Sequence, residues 1–105
     1  MTAYLQVMTT VESRDQAEQI ARHVLDGRLA GCVQILQCDS MYHWQGKIEQ
    51  SAEFLCIMKT RQDLFDDLQR EVAAMHPYEV PEILATPVAA GNPQYLDWLN
   101  GELHK

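Results

Sequence analysis

The chain contains no basic run. Its 8 lysines and arginines face 15 aspartates and glutamates, a formal net charge of −7 over 105 residues. Most of such a surface repels a phosphate backbone, so no nucleic-acid partner is expected. No apolar stretch is long enough to cross a bilayer, so no membrane partner is expected either. The start, Met1-Thr2-Ala3-Tyr4, lacks the basic-then-apolar pattern of a secretory leader. Cysteine is sparse: Cys32, Cys38 and Cys56 are odd in number and form no C-x-x-C pair. That argues against a disulfide framework and a structural zinc site, and fits reduced thiols in a cytoplasm. Walker, G-x-G-x-x-G, G-x-S-x-G and H-E-x-x-H motifs are missing, and His23, His43, His76 and His104 show no tandem metal spacing. No enzyme is expected.

What is present is enough for one domain, residues 1–105, with a hydrophobic content of 47%. A chain this small has little stability to spare, and oligomerisation would supplement it. Tyr4 to Met8 reads as a strand. Ser13 and Gln16 form a capping-box pattern before Ala17, Ile20, Ala21, Val24 and Leu25 at helical spacing, and Gly27 supplies a stop. From Gly31 to Cys38 the period becomes two, with Val33 and Ile35 on one face and Cys32, Gln34, Leu36 and Cys38 on the other. Tyr42 and Trp44 continue this strand to a Gln45-Gly46 turn, and Ser51 to Thr60 returns as a second strand of a long hairpin. Thr60 with Asp63 is expected to cap a second helix carrying Leu64, Phe65, Leu68 and Val72. Ile83 to Val88 reads as a strand. Asn92 and Pro93 open a last helix. The order β-α-β-β-α-β plus a terminal helix predicts an α+β, ferredoxin-like sandwich.

The most distinctive segment is His76-Pro77-Tyr78-Glu79-Val80-Pro81. Each proline fixes its own φ and pushes the preceding residue out of the helical region, so the segment is a stiff connector carrying polar chemistry.

Gly31-Cys32-Val33, Tyr42-x-Trp44-x-Gly46-Lys47-Ile48, Glu53, Met58-Lys59-Thr60, the His76 to Pro81 segment with Glu82, and Tyr95-Leu96-x-Trp98 occur in that order. With this set the chain resembles the CutA divalent-ion tolerance proteins over nearly its whole length. The resemblance implies a ferredoxin-like subunit in a tight homotrimer, similar in architecture to the PII signalling proteins. It also implies a cytoplasmic location and tolerance to copper and other divalent metals. Bacterial relatives can carry a cysteine near the end of the first strand and a His-His pair before Pro-Tyr. Those places are Met8, Met75 and His76 here, and only the histidine persists. A Met-Met-His set suits Cu(I), because thioethers are soft donors.

Each candidate residue has a competing role. His76 can ligate metal, or sit at a helix end bonding the last carbonyls. Cys32 can bind a soft metal as thiolate, or serve as a small buried hydrophobe. Cys38 lies six residues on, roughly 20 Å along a regular strand, so the two cannot share an ion within one subunit. A site made between subunits escapes that limit. Met8 and Met75 fit gap-filling packing, and Cys56 fits the core. Trp44 and Tyr42 near the hairpin tip call for a partner surface, with self-association the simplest, or form a lid over a ligand cleft as the resemblance to PII-like trimers implies. Glu53, Lys59, Tyr78 and Glu79 can line a polar cleft, Lys59 acting as an anion anchor, or can close the sheet edge or the subunit interface as a charge pair. Glu79 with Glu82 offers hard oxygens to a divalent cation. The leading expectation is a homotrimer that binds copper or another heavy divalent metal. The alternatives are a PII-like trimer taking a small organic or anionic ligand, or a ligand-free scaffold.

Overall fold

A computed structural model describes residues 3–105. Met1 and Thr2, the first of the stretch read for a leader, lie outside it. The chain runs β1 (Tyr4–Val11), α1 (Arg14–Asp26), β2 (Cys32–Trp44), β3 (Lys47–Arg61), a 3₁₀ turn (Gln62–Leu64), α2 (Phe65–Met75), β4 (Leu84–Pro87) and α3 (Pro93–Glu102). The four strands form one sheet in the order β2-β3-β1-β4, antiparallel at every seam. This is the ferredoxin-like α+β arrangement expected from the sequence. The strands run further than their apolar cores suggested, β1 to Val11 and β3 from Lys47 to Arg61, while β4 is shorter.

Strand pairing sorts the side chains onto two faces, because cross-strand partners share a face and neighbours along a strand alternate. Val7 opposes Met58, which opposes Val33; Thr9, Cys56 and Ile35 form the next row. This face packs against α1 and α2 through Ile20, Val24, Leu68 and Val72, all essentially inaccessible. The other face carries Met8, Ile57, Gln34 and Leu84 in one row, and Lys59, Cys32, Gln6 and Thr86 in another. No helix covers its middle: Leu36 is 47% and Leu84 59% exposed.

The helix ends show where local signals held and where tertiary structure overrode them. Ser13 caps α1 by accepting from the Gln16 amide at 3.2 Å. The reciprocal half of the capping box is not made, and Gln16 Oε1 is buried without a partner among the described residues. Gly27 ends α1 with φ −79°, and the left-handed position falls one residue later on Arg28 (φ 56°). Arg28 is held there by the carboxyl-terminal tail. Its guanidinium donates to the Glu102 carbonyl at 3.0 Å, and its own carbonyl accepts from His104 N–H at 2.8 Å. Thr60 and Asp63 do not cap α2. β3 continues through Arg61, so Thr60 is a buried strand residue whose hydroxyl donates to the Leu29 carbonyl at 2.6 Å. Asp63 instead pairs with Arg61 at 2.9 Å, and α2 begins after the 3₁₀ turn with no side-chain cap.

β2 and β3 meet at Gln45-Gly46, both with positive φ (51° and 78°), the two-residue turn whose twist matches a hairpin. β1 pairs with β3 only as far as Phe54, so the hairpin beyond it is a two-stranded ribbon. The chain is accordingly elongated, 45 × 26 × 22 Å. At the amino-terminal end of β1, α3 closes a smaller cluster of Leu64, Leu99 and Leu103. Gly31 is needed there, because a Cβ would lie 2.6 Å from Leu99 Cδ1.

Candidate functional site

The segment after α2 crosses the sheet at the end of β1. His76 has the extended backbone that its following proline demands (φ −70°, ψ 134°), which stops the helix. Its ring turns onto the helix-covered face, where Nε2 lies 3.0 Å from both the Thr10 carbonyl and Thr9 Oγ1. The Tyr78 amide donates to Nδ1 at 3.1 Å. Nδ1 is therefore the acceptor and Nε2 carries the proton, the neutral tautomer. Burial holds the His76 pKa below the ordinary value, against the opposing pull of the Thr10 carbonyl and the Glu53 carboxylate. In this arrangement neither ring nitrogen has a free lone pair for a metal. The helix-end role foreseen for His76 takes a different form, because the ring bonds β1 and not the last carbonyls of α2.

Tyr78 continues over the strand end to the other face. Its ring tilts against that of His76, with centroids 4.8 Å apart, and its hydroxyl donates to Glu53 Oε2 at 2.6 Å. Glu53 is 7% exposed, an unusual position for a carboxylate. Burial, and next the Glu53 carboxylate, push the Tyr78 pKa well above the usual phenol range, so the hydroxyl stays a donor. Beside Glu53 lies a shallow depression of about 380 Å³ lined by Gln37, Cys38, Asp39, Ala52 and Phe54.

The residues expected to ligate metal are divided within a single chain. Met8 is half-buried on the open face, the opposite side of β1 from Thr9 and therefore from the His76 ring. Met75 packs against the main core. Cys32 and Cys38 are half-buried on the open face, on an unbroken strand that keeps them six residues apart. Cys56 is in the core, and burial raises its thiol pKa to about 11, so it stays protonated. Among the described residues no three histidine, cysteine, aspartate or glutamate side chains are placed to hold one ion. The Met8-Met75-His76 set thus does not converge within the chain.

The polar cleft is likewise split. Glu53 and Tyr78 are joined, whereas Lys59 is six residues further along β3, with its ammonium 5.5 Å from the centroid of the Tyr95 ring. Glu79 and Glu82 are exposed. Trp44 is 59% exposed at the hairpin turn. Sequence reasoning missed Thr9, the partner of His76, and the bond between His23 Nε2 and Glu71 Oε1 (2.7 Å) that ties α1 to α2. A threonine alternating with valines, as Thr9 does between Val7 and Val11, is a sign of a polar group on a core face.

Comparison with known proteins decides the family. The family model described as CutA1 divalent ion tolerance protein matches residues 5–102. The chain belongs to this family. It is 46% identical over 94 residues to the divalent-cation tolerance protein CutA of Thermus thermophilus, covering 89% of this chain and 91% of that one. It is 40% identical over 94 residues to the chloroplastic protein CutA of Arabidopsis thaliana, covering 89% of this chain but 52% of that one. The crystal structure of CutA1 from Oryza sativa superposes with a TM-score of 0.95 at 38% identity, covering 98% of this chain and 95% of that one. The family model and the Thermus thermophilus relative carry the name of a tolerance protein.

Proposed function

We propose that this CutA1-family chain acts as a cytoplasmic homotrimer that binds copper or another heavy divalent metal where subunits meet. One observation carries the reading. The sheet face whose middle no helix covers bears apolar side chains together with the soft donors Met8, Cys32 and Cys38. On this face Leu36, Leu84 and the hairpin residue Trp44 are each between 47% and 59% exposed. Apolar surface of that extent on a small domain calls for a partner, and a second copy is the simplest one. Thiolates and thioethers select soft ions, and symmetry would bring equivalent donors together although one chain keeps them apart.

Light scattering combined with titration of Cu(I), Cu(II) and cadmium tests the proposal. The expected result is a particle of three subunits whose binding of soft ions is weakened in Cys32→Ser or Cys38→Ser and little changed in His76→Ala. A monomer at micromolar concentration would end the assembly reading. Unchanged binding in both cysteine variants, with loss in His76→Ala, would move the metal to the His76 segment.

A further inference from the structure

We infer that the pocket between Lys59 and α3 is a binding site for a small aliphatic carboxylate, taken tail-first. This goes beyond the metal reading and uses none of its donors. The pocket is about 180 Å³, lined by Leu5, Val88, Gly91, Leu96 and Leu99 with Gln6, Lys59 and Tyr95. Its apolar lining suits a short hydrocarbon tail, and its volume is that of roughly six waters in the liquid. Gly91 leaves room for it, because a Cβ there would press on Leu96 Cδ1 at 3.2 Å.

The charge pattern gives the ligand its sign. Lys59 is half-buried and has no carboxylate within ion-pair distance among the described residues. Arg61, two residues along the same strand face, shows the contrast. It is fully engaged by Asp63, the Asn100 side chain and the His104 carbonyl. In a chain of net charge −7, a lysine that lines an apolar pocket and has no ion-pair partner among the described residues suits an anionic head group. The Tyr95 ring steadies this ammonium at 5.5 Å. Gln6, directly across the strand pair from Lys59, adds amide donors on the same face. A carboxylate held by Lys59 and Gln6 would direct its tail under Leu96 and Leu99. A phosphate or sulfate would leave the apolar part of the pocket unfilled, and an amine would meet like charge.

The test is a titration of the isotope-labelled, assembled protein with sodium butyrate, followed by amide and side-chain NMR, beside butylammonium chloride and sodium chloride at matched concentration. Saturable shifts centred on Gln6, Val88, Gly91, Tyr95 and Leu96 are expected from butyrate alone. Affinity should fall about tenfold or more in Lys59→Met, since a charge-assisted contact is removed, and should persist in Lys59→Arg. Leu96→Trp, which fills the cavity without altering the charge, should also abolish the response, and it decides the matter if Lys59→Met does not fold. No saturable response, an equal response to chloride or butylammonium, or full binding by Lys59→Met or Leu96→Trp would overturn the inference. Metal titration and light scattering on the same samples read the proposed function separately.

Discussion

Tyr78 and Glu53 are joined by a 2.6 Å hydrogen bond across the end of β1, from a connector residue to the central strand β3. With His76 bonded to Thr9 and Thr10 on the other face, the connector clasps the strand end from both sides. A buried carboxylate that loses its donor keeps its desolvation cost. Tyr78→Phe is therefore expected to destabilise the protein by about 1–3 kcal/mol in urea denaturation. Adding Glu53→Gln to Tyr78→Phe should cost less than the two single changes summed. Strict additivity in that double-mutant cycle would show that the bond contributes nothing.

The His76 clasp should make stability depend on pH in one direction. His76 is held neutral in the fold, with its pKa below the ordinary 6.5, chiefly because burial disfavours the charged ring. Above 6.5 the ring is neutral in both folded and unfolded chains and imposes no pH dependence. As pH falls below 6.5 the unfolded chain takes up a proton that the folded one refuses, so stability declines until the lowered folded value is reached. Unfolding midpoints between pH 8 and 5 should fall more steeply for wild type than for His76→Gln. Parallel profiles would remove His76 as the source.

Two glycines, one packed against α3 and one within it, predict opposite tolerances. Gly31→Ala forces a Cβ to within 2.6 Å of Leu99 Cδ1, whose side chain is 2% exposed and has little room to yield. A loss of about 1–3 kcal/mol is expected, as for other overpacked cores. Gly101→Ala meets nothing within 4 Å and lies inside α3. It should stabilise by about 0.5–1 kcal/mol through helix propensity. Thermal unfolding of the two variants checks both signs.

Much of this was legible in the chain. Period-two alternation placed Cys32, Gln34, Leu36 and Cys38 on one face of β2, and the strand pairing agrees. Asn92 and Pro93 gave the start of α3, where Asn92 Oδ1 accepts from the Gln94 amide at 3.0 Å. Less legible was anything decided by a distant partner. Thr60 looked like a cap because caps are local, yet Leu29, far along the chain, claims its hydroxyl. Met8 and His76 looked like one ligand set because linear motifs do not encode sheet faces. The single alternation between Met8 and Thr9 puts them on opposite sides. The pairing of Tyr78 with Glu53 was open to sequence reasoning only as membership of a common cleft, since the crossing over β1 depends on where that strand ends.

The hairpin tip offers the most direct test of assembly. Met41, Trp44 and Ile48 are 68%, 59% and 68% exposed on a ribbon that no third strand supports. A two-stranded ribbon with such side chains in water is marginal, so on the assembly reading a neighbouring subunit covers it. Burying an aromatic anchor of this kind at an interface is worth about 2 kcal/mol or more. Trp44→Ser should therefore lower the unfolding midpoint, and should make it depend more visibly on protein concentration, because each trimer then loses three such contacts and dissociation is linked to unfolding. In a Trp98→Phe background, which leaves Trp44 as the single tryptophan, its fluorescence should be blue-shifted in the assembled protein and move to the red on dilution. A red, solvent-exposed emission at all concentrations, with an unchanged midpoint in Trp44→Ser, would show that the tip is free and that the subunits meet elsewhere.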